Sequence, residues 1–345
     1  MRSYEEHAAM VEDANPAPGE TTMRAVVQDS YGSPDVLRLV RIPVPEVAAD
    51  DVLVRVRAAG VHIGDWHVMT GQPHLMRVMG FGFRAPKARV RGMDVAGTVE
   101  AVGKNVTRFQ VGDNVYGTGN GTFAEYATGG EDTLAVKPAN LTFEQAAAVP
   151  TSACTALQAL NAGQIGSGQQ VLIIGASGGV GMFAVQIAKS FGAEVTGVCG
   201  PAKVDLVRSL GADAVLDYTK DKLTADGRRY DLILVMGGNR SLSELRRALT
   251  PKGTLVLVGG EGGGRLVGGA MGRSVRALAL SPLVSHNLRM VVATTKAADL
   301  QILTELIEAD RVAPVINRSY PLSQVPDAIR YLSTGHARGK VVITL

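Results

Sequence analysis

Residues 170–195 read Gln-Val-Leu-Ile-Ile-Gly-Ala-Ser-Gly-Gly-Val-Gly-Met-Phe-Ala-Val-Gln-Ile-Ala-Lys-Ser-Phe-Gly-Ala-Glu-Val, and no other stretch restricts the fold as tightly. An apolar run of strand length enters a glycine-rich turn, an apolar-faced helical stretch follows, and a second strand begins near Glu194. Gly175, Gly178 and Gly181 recur at every third position. At such positions a side chain would obstruct the turn, the approach of backbone amides to a pyrophosphate, or the packing of helix on strand. The helix start offers free N–H groups and a positive dipole end. Strand, turn, helix and strand in that order predict half of a dinucleotide site, made by Gly175, Ala176, Ser177, Gly178, Gly179, Val180 and Gly181. The competing account is a glycine turn in a βαβ unit that binds no phosphate.

The rest of the chain places this unit in the second of two domains. At 345 residues, about two domains of ~150 residues are expected. Residues 1–22 carry Glu5, Glu6, Glu12, Asp13 and Glu20 without apolar periodicity, which predicts a disordered acidic lead and not a signal peptide. From Met23 to Thr142 short β-runs at 23–28, 51–57, 94–102 and 113–116 predict a mostly antiparallel domain. In one of them Val52, Val54 and Val56 alternate with Leu53, Arg55 and Arg57, the period of a strand with one buried face. From Phe143 onward, strands at 171–174, 194–198, 214–217, 231–235, 254–258 and 288–293 alternate with helical stretches at 180–191, 202–210 and 241–249. That spacing favours right-handed crossovers and a doubly wound parallel sheet. Helices at 299–308 and 325–332 and a last strand at 340–344 return the chain to the first domain. The fold class is therefore α/β, with an antiparallel domain at 23–142 and 295–345 and a parallel-sheet domain at 143–294.

A net charge of +3 points to no nucleic-acid or membrane partner, and the cluster Arg84, Lys87, Arg89 and Arg91 is expected to be a solvated loop. No apolar run approaches the ~18 residues of a membrane span. Cys154 and Cys199 are too few for a disulfide framework, which favours a cytoplasmic protein.

The second strand of the parallel sheet ends Val198-Cys-Gly-Pro-Ala-Lys203, without the Asp or Glu that an NAD site carries for the ribose hydroxyls. Gly200 leaves room for a 2′-phosphate, Lys203 can supply its counter-charge and Tyr218 a hydroxyl, so NADPH is expected over NADH. The bland alternative makes Lys203 and Tyr218 ordinary surface residues. Gly237 and Gly259 follow the fourth and fifth strands, at the carboxyl edge where a ligand crevice forms.

Further segments carry a resemblance: Tyr31-Gly-Ser-Pro-Asp-Val-Leu37, Ala59-Gly-Val-His-Ile-Gly-Asp65, Gly92-Met-Asp-Val-Ala-Gly97, Val102-Gly-Lys-Asn-Val106, Val111-Gly-Asp113, Phe123-Ala-Glu-Tyr126 and Arg338-Gly-Lys-Val-Val342. With the glycine loop they make the chain, from Met23 to Leu345, similar to the medium-chain dehydrogenase/reductase superfamily in its zinc-independent, quinone oxidoreductase-like branch. The resemblance implies a GroES-like catalytic domain, a Rossmann domain, a cleft between them, a homodimer, and Lys340 among the cofactor contacts. In zinc-dependent relatives a Cys, a His and a Cys or Asp hold the catalytic metal. Those positions fall here on His62, Met93 and Thr151, of which one is a plausible ligand where about three are needed. The four cysteines of a structural zinc lobe are missing, so no metal is expected. Without zinc to polarise an alcohol oxygen, the expected reaction is hydride delivery from NADPH to an activated alkene, an enone or a quinone.

The resemblance sets His62-Ile-Gly-Asp-Trp-His67 near the nicotinamide, although many zinc-independent relatives have Asn in place of His62. His62 and His67 titrate near neutrality and are candidate proton donors, or else satisfy loop backbone. Asp65 is expected to organise the loop more than to act as a base, and Trp66 to pack. Thr155 matches a family position whose hydroxyl approaches the nicotinamide, with bonding to its own helix as the alternative. The apolar segment 72–83 and the glycine-rich segment 261–285 suggest a bulky apolar substrate or a dimer contact. Two other functions fit the same residues: a zinc-free carbonyl reductase or alcohol dehydrogenase, and a non-catalytic NADPH-binding sensor or interaction module.

Overall fold

The computed structural model describes residues 12–13, 21–224, 227–259 and 269–345. A small sheet comes first, ordered β1-β3-β2, from β1 (Glu12–Asp13), β2 (Thr22–Gln28) and β3 (Leu37–Pro43). Then follow β4 (Asp51–Val61), α1 (Ile63–Thr70), β5 (Asp94–Val102), β6 (Asn114–Thr118), β7 (Tyr126–Gly130) and β8 (Leu134–Val136). Helices α2 (Phe143–Ala147) and α3 (Pro150–Ala162) lead out of this domain. The parallel domain runs β9 (Gln170–Ile174), α4 (Gly179–Ser190), β10 (Glu194–Cys199), α5 (Val204–Ser209), β11 (Ala214–Asp217), β12 (Tyr230–Val235), α6 (Leu242–Arg247), β13 (Leu249–Leu257), α7 (Gly269–Leu280) and β14 (Asn287–Met290). After α8 (Ala297–Glu308) come β15 (Ile316–Pro321), α9 (Val325–Ser333) and β16 (Lys340–Thr344).

β16 pairs antiparallel with β4, so the C-terminus does rejoin the first domain, in a sheet ordered β15-β16-β4-β5-β6-β8 with β7 on β4. The second sheet is parallel throughout and ordered β11-β10-β9-β12-β13-β14. Strand β9 is at its centre because Val171, Leu172, Ile173 and Ile174 are buried on both faces, as a parallel strand covered by helices on both sides must be. Strand order reverses between β10 and β12 on either side of β9, which opens a crevice at their carboxyl ends.

The two sheets share one core through α3. Pro150 at its first position has no N–H to lose, and nine of its thirteen residues are buried. The same apolar cluster joins Ala58, Ala96 and Tyr116 of the antiparallel sheet to Leu157, Leu160, Val171 and Ile173. The Tyr116 hydroxyl donates to the Leu300 carbonyl at 2.8 Å, fixing α8 against β6.

Several expectations need correction. β4 extends to Val61, pairing with β5 and β7, and Leu53 is buried together with the valines, so both faces of this strand are covered there. The stretch 202–210 begins as a 3-10 turn at Pro201–Lys203 before α5, and β14 ends at Met290. Glu12–Asp13 of the acidic lead pair with Val40 and Arg41 instead of staying apart. Arg91 is buried rather than solvated. The rest of residues 1–20, and Gly262, Gly263, Gly264 and Gly268, lie outside the described residues. Among the described residues no helix is long and apolar enough to cross a membrane.

Candidate active site

The glycine loop closes the carboxyl end of β9. Gly175 has φ +86°, a conformation side chains rarely adopt. The amides of Gly175 and Ala176 both donate to the Val198 carbonyl at 3.1 Å, stitching β9 to β10. Gly178 caps α4, so the amides of Gly179, Val180 and Gly181 open a twelve-residue helix. A Cβ on Gly181 would fall 2.1 Å from the Gly175 carbonyl oxygen, so only glycine lets the helix approach the strand this closely. Ala176 and Ser177 are buried beneath the turn. Gly237 joins it, its amide 3.2 Å from where a Gly175 Cβ would stand, and Gly259 lies against the Met236 carbonyl. Three strand ends thus form a cradle of backbone that side chains would fill, and it fits a dinucleotide pyrophosphate.

At the end of β10, Gly200 faces the Tyr218 ring, which is 3.4 Å from where its Cβ would be. Tyr218 is exposed and its amide is tied to the Cys199 carbonyl at 3.1 Å. Lys203 closes the turn after Gly200, and its Nζ donates to the carbonyls of Gly335 (3.1 Å) and Ala337 (2.9 Å). The structure therefore sets Gly200 against the Tyr218 ring and Lys203 in the same turn as Gly200, with its Nζ turned toward Gly335 and Ala337. Asp217 is paired with Cys199 across the strands, and its carboxylate serves its own turn. It accepts from the amide and hydroxyl of Thr219, and the amide bond holds it below the usual carboxylate range.

The loop 62–67 stands at the start of α1. His62 is the N-cap, and its amide donates to Asp65 Oδ2 at 2.9 Å. The His62 Nε2 lies 3.7 Å from the same oxygen. Asp65 is buried, and desolvation raises its carboxyl against the opposing pull of His62 and the more distant Arg91. Asp65 thus holds the His62 amide at the start of α1. His67 Nδ1 sits 2.8 Å from the Gln72 carbonyl, and burial pushes this imidazole below its ordinary value. Trp66 packs against the core of the antiparallel domain and meets the His67 ring edge-on at 5.1 Å. Thr155 donates to the Thr151 carbonyl at 2.6 Å, the helix-bonding alternative.

Sequence reasoning missed the group that joins these parts. Asp94, wholly buried at the start of β5, accepts from the amide of Thr151 at 3.0 Å and from its hydroxyl. Lys340, 2% exposed on β16, places Nζ 2.9 Å from Ser152 Oγ and 3.6 Å from Asp94 Oδ2. Its Cδ runs beside Gly179. Lys340 is thus next to the pyrophosphate cradle but turned toward Ser152 and Asp94. Lys340 was named from sequence as a cofactor contact; the signal for Asp94 was an acid opening a strand whose next three residues, Val95, Ala96 and Gly97, are apolar. Among the described residues no three His, Cys, Asp or Glu side chains are grouped to hold a metal. Of the three positions that bind zinc in relatives, Met93 offers a thioether and Thr151 has committed its hydroxyl to Asp94.

Known proteins agree with this architecture. A family model described as "Alcohol dehydrogenase GroES-like domain" matches residues 48–159, and one described as "Zinc-binding dehydrogenase" matches 210–343. The 2-methylene-furan-3-one reductase of Solanum lycopersicum is 33% identical, over 99% of this chain and 84% of that protein. The chloroplastic NADPH-dependent alkenal/one oxidoreductase of Arabidopsis thaliana is 34% identical, over 93% of this chain and 79% of that protein. The quinone oxidoreductase of Coxiella burnetii superposes with a TM-score of 0.83 at 28% identity, covering 94% of this chain and all of that one. By sequence and by fold, this chain belongs to the medium-chain dehydrogenase/reductase superfamily, in its quinone oxidoreductase-like branch.

Proposed function

We propose that the protein is an NADPH-dependent, zinc-free reductase of activated acceptors, α,β-unsaturated carbonyls or quinones. One observation carries this reading: beside a dinucleotide cradle, the positions that bind zinc in relatives hold His62, Met93 and a Thr151 whose hydroxyl is given to Asp94. The named activities of the tomato, Arabidopsis and Coxiella proteins support it. Bound NADPH supplies a hydride. The amides opening α4 hold its pyrophosphate, and Gly200, Lys203 and Tyr218 accept the 2′-phosphate. Lys203 is drawn there from neutral carbonyls, which compete weakly with a phosphate dianion. His62, at the mouth of α1 and on the buried Asp65, is the candidate that returns a proton to the acceptor's oxygen. His67, with Nδ1 held by Gln72, is the weaker candidate, and solvent is the third source.

We take the functional division to be 23–142 with 295–345 for the acceptor and 143–294 for the cofactor, in a cytoplasmic homodimer. Support for the dimer is the edge position of β14, where Met290 and the following Val292 are exposed. The test is oxidation of NADPH and NADH by metal-analysed protein with enones, quinones and saturated ketones. Preferential turnover of NADPH with enones or quinones is expected. Equal rates on saturated ketones would favour a carbonyl reductase, and tight NADPH binding without turnover of any acceptor a binding module. Stoichiometric zinc would refute the zinc-free assignment.

A further inference from the structure

The chain that leaves α1 is tied back by side chains from three places. His67 Nδ1 meets the Gln72 carbonyl, and Arg77 donates to the carbonyls of Gly71 (2.9 Å) and Thr70 (3.3 Å). From the first domain's other edge, the Tyr31 hydroxyl lies 2.6 Å from the Gly82 carbonyl and 3.0 Å from that of Phe81. The Arg77 guanidinium stacks on the Tyr31 ring at 4.4 Å, locking the ties together. Gly71, with φ +61°, makes this possible: a Cβ there would fall 2.6 Å from Arg77 Nε and 2.7 Å from the Tyr31 ring. Yet the segment so fixed leaves Val78 (68%), Phe81 (41%) and Phe83 (72%) in solvent. Large apolar side chains held out on an anchored backbone mark a binding surface. Ile63, next to His62 in the chain, and Met93 are exposed as well.

We propose that Tyr31 is a positioning residue for acceptor selection: through Arg77 and two backbone carbonyls it sets Val78, Phe81 and Phe83 as the wall that receives the apolar tail of a long acceptor. This rests on the acceptor chemistry proposed above. The eight residues of α1 run about 12 Å from His62 to Thr70, the end of the helix at which Arg77 ties down the segment that carries the wall. A short enal reacting at His62 ends before the wall, whereas a long one reaches it. His67, with Nδ1 on the Gln72 carbonyl, is part of this clasp.

Tyr31→Phe removes the hydroxyl and keeps the ring under Arg77. In the full-length enzyme with NADPH, the KM for trans-2-decenal should rise about tenfold at steady kcat, the affinity carried by roughly two buried methylenes. The KM values for acrolein and NADPH should stay within about twofold on the same scale. Equal changes for both aldehydes, or no change, overturn the proposal. Phe81→Ala alters a side chain outside the core and must show the same dependence on chain length; it decides the matter should Tyr31→Phe not fold. If the wild-type enzyme reduces neither aldehyde, the acceptor reading fails and hydrogen exchange judges the clasp. Faster exchange in Tyr31→Phe confined to residues 71–83 supports it, and unchanged protection overturns it.

Discussion

The buried pair of Asp94 and Lys340 allows a quantitative test. Both side chains are at least 98% removed from solvent, and the ammonium is 3.6 Å from the carboxylate. Asp94→Asn keeps an oxygen for the Thr151 amide and hydroxyl but deletes the charge that offsets Lys340. Leaving one member of a buried ion pair without its partner costs about 3–5 kcal/mol, a large share of the roughly 5–15 kcal/mol that holds a domain folded. Lys340→Met should cost a similar amount, because it strands the Asp94 carboxylate. In the double variant neither charge remains. Its loss should therefore fall short of the sum of the two single losses by about 0.5–3 kcal/mol, the range seen for residues in contact. Urea unfolding of the four proteins at neutral pH measures this coupling. Single losses that add within about 0.5 kcal/mol would show that the pair does not interact, and would refute the assignment of Lys340 to Asp94.

Lys203→Ala should weaken NADPH binding at least tenfold more than NADH binding, roughly the worth of one charge-assisted contact; equal losses measured by fluorescence titration would rule out the 2′-phosphate role. Gly181→Ala puts a Cβ 2.1 Å from the Gly175 carbonyl, and it should abolish detectable cofactor binding while circular dichroism still shows a folded chain; retained affinity would contradict the packing described. The neutral form of His67 is favoured in the fold, since burial lowers its value from an ordinary one near 6.5. The stability it contributes is therefore present above about pH 6.5 and lost as pH falls below it, so His67→Gln should flatten the acid slope of stability, and an unchanged slope would refute this. Burial also pushes the Cys154 thiol up to about 12, so native protein at pH 8 should resist iodoacetamide at this residue, and labelling there at the rate of a free thiol would contradict its burial.

Local pattern revealed what is local. The glycine spacing of 175–181 fixed strand, turn and helix because each glycine answers a short-range steric demand, and the structure shows that demand at Gly175 and Gly181. Gly200, Lys203 and Tyr218 could be proposed together from sequence for a similar reason, since they follow the ends of the adjacent strands β10 and β11. What sequence could not show was pairing across the fold. Asp94 and Lys340 are 246 positions apart and meet only because β16 joins the sheet beside β4 while α3 crosses behind it. Arg91 reads as one member of a basic cluster until burial separates it from Arg84, Lys87 and Arg89. The histidines show the same limit: spacing offered both as proton donors, and only the backbone partner of His67 told them apart.

The helix α3 bears on how this protein can be divided or recombined. Its first turn presents Thr151 and Ser152 to Asp94 and Lys340, while its buried face shares an apolar cluster with β9 and α4. A chimera that exchanged only the nucleotide domain, cut just before the α/β region, would bring a foreign α3 and lose its contacts with β5 and β16. The module that can be transplanted is thus larger than the parallel sheet: it includes the acid and the lysine from the other domain. The proposed 2′-phosphate site is divided in the same way: Gly200 and Tyr218 follow two neighbouring strand ends of the nucleotide domain, whereas Lys203 reaches across to the carbonyls of Gly335 and Ala337.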